Sequence, residues 1–192
     1  MAPLLPFIPW IIPANIITII SNLFVYLGFF VALYFNGPIS RLIIAGSLLL
    51  YLVGDHLDGM QAKRTKTGSA LGEFCDHYLD AFNNGIILFT AFLVFQIHNP
   101  VIVTIVLAAS YLAHMSVFYE QFKTGWLTFE KLGSLEAVLL TALVIGLSSF
   151  SDVFALLTMP VVFEYRIIEV VFLSSAIGAV MTFVTTIRRT PE

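Results

Sequence analysis

The stretch GDHLDGMQAKRTKTGSALGEFCDHYLD, residues 54–80, holds Asp55, Asp58, Asp76 and Asp80, four of the chain's five aspartates; the remainder of the chain contributes only Asp152. The surroundings make this clustering informative. Of the 192 residues, 59% are hydrophobic and 11% charged, against roughly 25% charged in a soluble domain. The mean hydropathy is +0.96. Such a composition excludes an ordinary soluble domain and points to a membrane protein.

Working outward from the stretch, apolar runs of about 20 residues, the length needed to cross a bilayer, fall at 14–34, 39–57, 78–97, 99–119, 134–150 and 167–187. These predict an all-α integral membrane protein with six transmembrane helices. The third helix is expected to start near Ser69, which puts Asp76 and Asp80 on its first turns. After Leu147 the chain passes through SSFSD into VFALLTMPVVF, interrupted by Pro160, a piece that either extends the fifth span or lies at the interface. The opening MAPLLPFIPWII has no basic region and carries Pro3, Pro6 and Pro9, so it reads as a short interfacial segment anchored by Trp10 rather than a signal peptide. The whole chain, 1–192, is read as a single membrane domain, with no linker or repeat.

Basic residues near span ends stay in the cytoplasm. Six spans put Lys63, Arg64, Lys66, Lys123, Lys131, Arg188 and Arg189 on one side, and Arg41 and Arg166 on the other. Both termini and the aspartate-rich stretch are therefore expected to face the cytoplasm, where nucleotides are available. The lone Cys75 has no internal disulfide partner, and the net charge of −3 selects no partner; no nucleic acid is expected.

Side chains three or four positions apart share one face of a helix. Asp55 and Asp58, and separately Asp76 and Asp80, have that spacing, so two helices can each present a carboxylate pair. An unpaired charge in the membrane costs at least ~2.5 to 3.5 kcal/mol, and like charges repel further. A divalent cation resolves the conflict, and oxygen-only ligands favour Mg2+ or Mn2+. Four carboxylates could hold two such ions. The intervening residues look fitted to a phosphate: Gly59 permits close approach to the backbone, Ala62 keeps the next turn thin, Lys63 and Arg64 supply positive charge, and Gly72 opens space one turn before Asp76.

These residues resemble the signature of the CDP-alcohol phosphotransferases (CDP-alcohol phosphatidyltransferases), D-x-x-D-G-x-x-A-R-x8-G-x-x-x-D-x-x-x-D. Asp55, Asp58, Gly59, Ala62, Gly72, Asp76 and Asp80 fall on it in register, and Lys63 stands where the family has Arg. Lys keeps the charge but loses the planar two-pronged grip on phosphate oxygens, which Arg64 next door could supply. The resemblance implies a six-helix membrane fold, usually a homodimer, in which two divalent cations surround the pyrophosphate of a CDP-linked alcohol. Carried over, Asp55, Asp58 and Asp76 are metal ligands and Asp80 is a ligand or the general base. The acceptor hydroxyl attacks the β-phosphorus and expels CMP.

ANIIT, with Asn15 and Thr18, resembles the P-N-x-x-T segment that opens the first helix near the nucleotide in this family. DHYLD and GMQAKRTKTGSALGE resemble runs of the choline and ethanolamine phosphotransferase branch, as does FYEQFKTGWL at 118–127, with Phe122 at a Tyr position. That branch implies a donor such as CDP-choline or CDP-ethanolamine and a diacylglycerol-like lipid acceptor. His77 could help to deprotonate the acceptor hydroxyl. Glu120 and Glu136, beside Lys123 and Lys131, could bind a head group or pair across their loop, with pairing favoured, whereas His56, His98 and His114 lack partners at metal-ligand spacing. Two rivals are a phosphatidyltransferase using CDP-diacylglycerol with inositol phosphate or glycerol phosphate, and a divalent-cation transporter. The first needs a basic acceptor pocket, for which Lys123, Lys131, Arg188 and Arg189 are the candidates. The second usually places acids at the bilayer midplane on repeated halves.

Overall fold

The computed structural model describes residues 2–68, 70–125 and 134–190, with the side chains of 2–4, 70, 71, 73–77 and 134 outside the description. A 3-10 helix, Ala2–Phe7, precedes α1 (Ala14–Tyr34), α2 (Pro38–Thr65), α3 (Ala70–Val94), α4 (Pro100–Thr124), α5 (Ser134–Leu147) and α6 (Ser151–Thr158). A hairpin of β1 (Pro160–Val162) and β2 (Tyr165–Arg166) leads into α7 (Ile167–Arg189). The protein is an all-α membrane protein apart from this hairpin. Among the described residues, α1, α2, α4 and α7 are each long and apolar enough to cross a bilayer, and α5 with α6 makes a bent fifth candidate. In α3 the apolar part is the shorter stretch Tyr78–Val94.

The apolar runs and the helices agree closely at α1, whereas α2 continues eight residues past its expected end at 57. Ala62, Lys63 and Arg64 are good helix formers that carry the helix onward without apolar support. It stops where Lys66 adopts a left-handed conformation (φ 56°) and its N–H returns to the Ala62 carbonyl. Asp55 and Asp58 therefore sit within α2.

The piece after Leu147 does not prolong the fifth helix, because α6 is bent by 116° from α5. At the hairpin tip, Phe163 and Glu164 both have positive φ, 46° and 73°. Such turns normally carry Asn or Gly, so nothing in the sequence announced this one.

Helix packing relies on small residues, as expected where apolar burial gives little drive inside lipid. A Cβ at Gly54 of α2 would come 2.5 Å from the Ser21 Cβ of α1, and one at Gly28 would come 2.8 Å from the Ser47 hydroxyl. α1 packs along both α2 and α3, α5 lies on α2, and α4 pairs with α7. Among the described residues, α2 and α3 do not pack tightly on each other. At the end of the bundle away from the aspartates, Arg41 donates to the Ser148 carbonyl at 2.8 Å and to Asn36 Oδ1 at 3.1 Å. Arg166 donates to the carbonyls of Phe95 at 2.8 Å and Gln96 at 3.0 Å, and pairs with Glu169 at 3.0 Å. Both arginines thus satisfy carbonyls just past helix C-termini, which have no partner within the helix.

Candidate functional site

The site lies where α1, α2 and α3 converge. Asp55 and Asp58 are three residues apart on α2, Asp80 is ten residues into α3, and α1 stands behind both helices. Asp58 is buried, while Asp55 and Asp80 are half-buried. Thr18 on α1 donates its hydroxyl to Asp58 Oδ2 at 2.6 Å. Tyr51, one turn before Asp55 on α2, is only 5% exposed and reaches across to donate to Asp80 Oδ1 at 3.0 Å. Tyr51 thus ties α2 to a motif carboxylate of α3. Hydrogen bonds to a charged acceptor are among the stronger ones, and they hold these side chains in place.

Behind them runs a buried amide chain. Asn22 Nδ2 donates to the Thr18 carbonyl at 2.6 Å, and Asn83 Nδ2 on α3, itself fully buried, donates to Asn22 Oδ1. Tyr51, Asn22 and Asn83 were not singled out from the sequence. The available signal was their polarity within apolar spans, together with helical spacing: Tyr51 is four residues before Asp55, and Asn83 three after Asp80.

The other expected residues divide. Gly59 is exposed, and a Cβ there would meet only open space, so the backbone beside Asp58 is accessible. Lys63 and Asn15 are exposed, and Ala62 and Gly72 half-buried. Thr18, expected near the nucleotide, touches a motif carboxylate. Arg64 is turned to a different task from the one expected: its guanidinium donates to the carbonyls of Leu5 at 2.8 Å and Ile8 at 3.0 Å and lies 4.1 Å over the Trp10 ring. With Gln61, which donates to the carbonyls of Pro9 and Ile12, it clamps the N-terminal segment onto α2. Motif spacing gives an arginine's place along a helix but not the neighbour it turns to. Glu120 pairs with Arg189 of α7, at 2.6 and 2.7 Å, a partner the sequence reading did not name. The side chains of Asp76 and His77, and all of Lys131, lie outside the described residues.

Among the described residues no three His, Cys, Asp or Glu side chains form a group that could hold an ion; Asp76 is not among them. The chemistry of the donors nevertheless fits a hard cation, since Asp55, Asp58 and Asp80 offer oxygen ligands alone.

The family model described as CDP-alcohol phosphatidyltransferase matches residues 11–181, a span that includes every described residue of the site. A Dictyostelium discoideum protein described as "Uncharacterized CDP-alcohol phosphatidyltransferase class-I family protein 3" is 36% identical over 84 residues, covering 40% of this chain and 21% of that protein's length. With the family model spanning most of the sequence, the chain belongs to the CDP-alcohol phosphatidyltransferase family.

Proposed function

We propose that the protein transfers a phospho-alcohol group from a small CDP-alcohol, of the CDP-choline or CDP-ethanolamine type, to the hydroxyl of a membrane lipid such as diacylglycerol, releasing CMP. The observation that carries this reading is the pair of contacts Thr18–Asp58 and Tyr51–Asp80, which fix a motif carboxylate on each of α2 and α3. Asp55, Asp58, Asp76 and Asp80 would hold one or two divalent cations, Mg2+ or Mn2+. Such cations, when bound, neutralise charge developing on the phosphoryl oxygens and the leaving group. Open space at Gly59 lets the diphosphate approach the backbone, and Lys63, exposed one turn further on, supplies positive charge. The acceptor oxygen bonds to the β-phosphorus while the bond from that phosphorus to the bridging oxygen breaks, and CMP leaves. The hydroxyl proton passes to Asp80, or to His77. Arg64 is left out of the nucleotide site because its guanidinium serves the N-terminal clamp.

In this reading the whole chain is one catalytic unit, a homodimer as the family resemblance implies. α3, which at 25 residues is roughly 37 Å long at about 1.5 Å per residue, and the bent α5–α6 pair complete six spans. The N-terminal segment lies at the interface, where Phe7, Trp10 and Ile11 are exposed. The aspartate end faces the cytoplasm, a reading supported by Lys63, Arg64, Lys66, Lys123, Arg188 and Arg189 gathering there. Use of CDP-diacylglycerol with a phosphorylated acceptor is disfavoured because Arg189, a candidate for the acceptor's phosphate, is bonded through two nitrogens to Glu120. The test is CMP release by purified protein with each donor and acceptor class. CMP from CDP-choline or CDP-ethanolamine with diacylglycerol is expected. CMP from CDP-diacylglycerol alone reverses the choice of substrate, and cation flux into liposomes without CMP from any donor replaces the transferase with a transporter.

A further inference from the structure

Six polar groups on three helices engage two motif carboxylates in two sets. Thr18 donates to Asp58 at 2.6 Å, Asn22 donates to the Thr18 carbonyl at 2.6 Å, Asn83 donates to Asn22, and Tyr51 donates to Asp80 at 3.0 Å. Tyr51 and Asn22 are almost fully buried, and Asn83 is fully so. Burying this much polarity in a membrane helix bundle is costly unless it is bonded, and such residues inside spans are commonly functional.

The two sets act between different helices. Asn83 and Asn22 join α3 to α1, and the Tyr51–Asp80 bond spans the gap between α2 and α3. A rigid aromatic side chain with two rotatable bonds suits a strut better than a long flexible one, and donating to Oδ1 orients the carboxylate about its own axis.

We infer that Tyr51 is a positioning residue that sets the placement of Asp80 on α3 relative to the carboxylates of α2, while Asn83 and Asn22 tie α3 to α1. This rests on the transferase reading for its kinetic consequence, but not for its effect on cation affinity. Partners of ligating carboxylates typically contribute about 10- to 100-fold in metal affinity or activity.

The test is Tyr51→Phe, which keeps the ring and removes the hydroxyl, alongside Asn83→Ala. Three quantities are read: Mn2+ binding without donor by electron paramagnetic resonance, kcat against KM for CMP release, and the unfolding midpoint in detergent. For Tyr51→Phe, Mn2+ affinity and kcat are each expected to fall by about 10- to 100-fold, with KM for the donor and the unfolding midpoint near wild type. Asn83→Ala is expected to move affinity and kcat in the same direction with a lower midpoint. Wild-type affinity and kcat in Tyr51→Phe would overturn the inference, as would a lowered midpoint with unchanged kcat per folded molecule. If the wild type binds Mn2+ yet releases no CMP from any donor, the transferase reading falls, and the Mn2+ affinity of Tyr51→Phe still decides the positioning role. A wild type that neither binds Mn2+ nor releases CMP overturns both.

Discussion

At the end of the bundle away from the aspartates, Arg41 and Arg166 are turned inward onto backbone carbonyls and Glu169; at the aspartate end, the neutral hydroxyls of Thr18 and Tyr51 are turned onto carboxylates. The first arrangement completes helix termini. Ser148 sits past the end of α5, Phe95 and Gln96 past the end of α3, and a guanidinium reaches each with its fork of donors. The second orients acids without closing the space above Gly59. Two charges of the minority sign at the far end are thus explained by structure, while the acids at the near end accept hydrogen bonds from neutral hydroxyls. Charge within a membrane protein has to be read by what each group touches, not by its count.

The sharpest way to break this comparison is to remove a motif aspartate and, separately, a charge held in an ion pair, and ask whether activity or stability responds. Asp80→Asn keeps the shape of the side chain and is expected to lower CMP release by about 10²- to 10⁴-fold, the contribution of a positioned proton acceptor, with the unfolding midpoint in detergent little changed. Arg189→Ala leaves Glu120 buried at 4% exposure without its partner. Losing one member of a buried pair costs about 3 to 5 kcal/mol, and because Arg189 is itself a third exposed, the lower end is expected in denaturant titration. The double variant Glu120→Gln with Arg189→Leu should recover part of that loss.

Gly54→Ala sharpens the near end by geometry alone. The new methyl would sit 2.5 Å from the Ser21 Cβ, too close to the α1 backbone for a side-chain shift to relieve it. Overpacking of this kind costs about 1 to 3 kcal/mol, and moving α1 also moves Thr18 off Asp58, so CMP release should fall as well. Adding Ser21→Gly should restore both, which an unrelated folding defect would not allow. The smallest effect is expected at the far end. Arg41→Leu strands the buried Ser148 carbonyl at about 1 to 3 kcal/mol, measured as a lower midpoint, with CMP release per folded molecule unchanged.

Much of this was legible in the sequence because bilayer thickness imposes a length on apolar runs: α1 and the start of α7 fall where the runs do, and Asp55, Asp58 and Asp80 lie on helices as their spacing requires. The extension of α2 was missed because its last turns are polar, and the bend after Leu147 stayed undecided because two serines and a phenylalanine fit either a continued helix or a turn. The hairpin had no glycine or asparagine at its left-handed positions to reveal it. Within the site, the acids were legible and their holders were not. Tyr51 reads as one more aromatic in an apolar run until its hydroxyl is seen on Asp80, and Arg64 reads as a phosphate ligand until it is seen over Trp10.

The most direct measurement is an experimental structure of the protein with a CDP-alcohol and Mn2+, recorded at the manganese absorption edge so that the ion is located independently of the protein. The account predicts anomalous density among Asp55, Asp58, Asp76 and Asp80, with the diphosphate lying over Gly59. Aspartate side chains directed apart, with no manganese between them and the cytidine bound elsewhere, would contradict it.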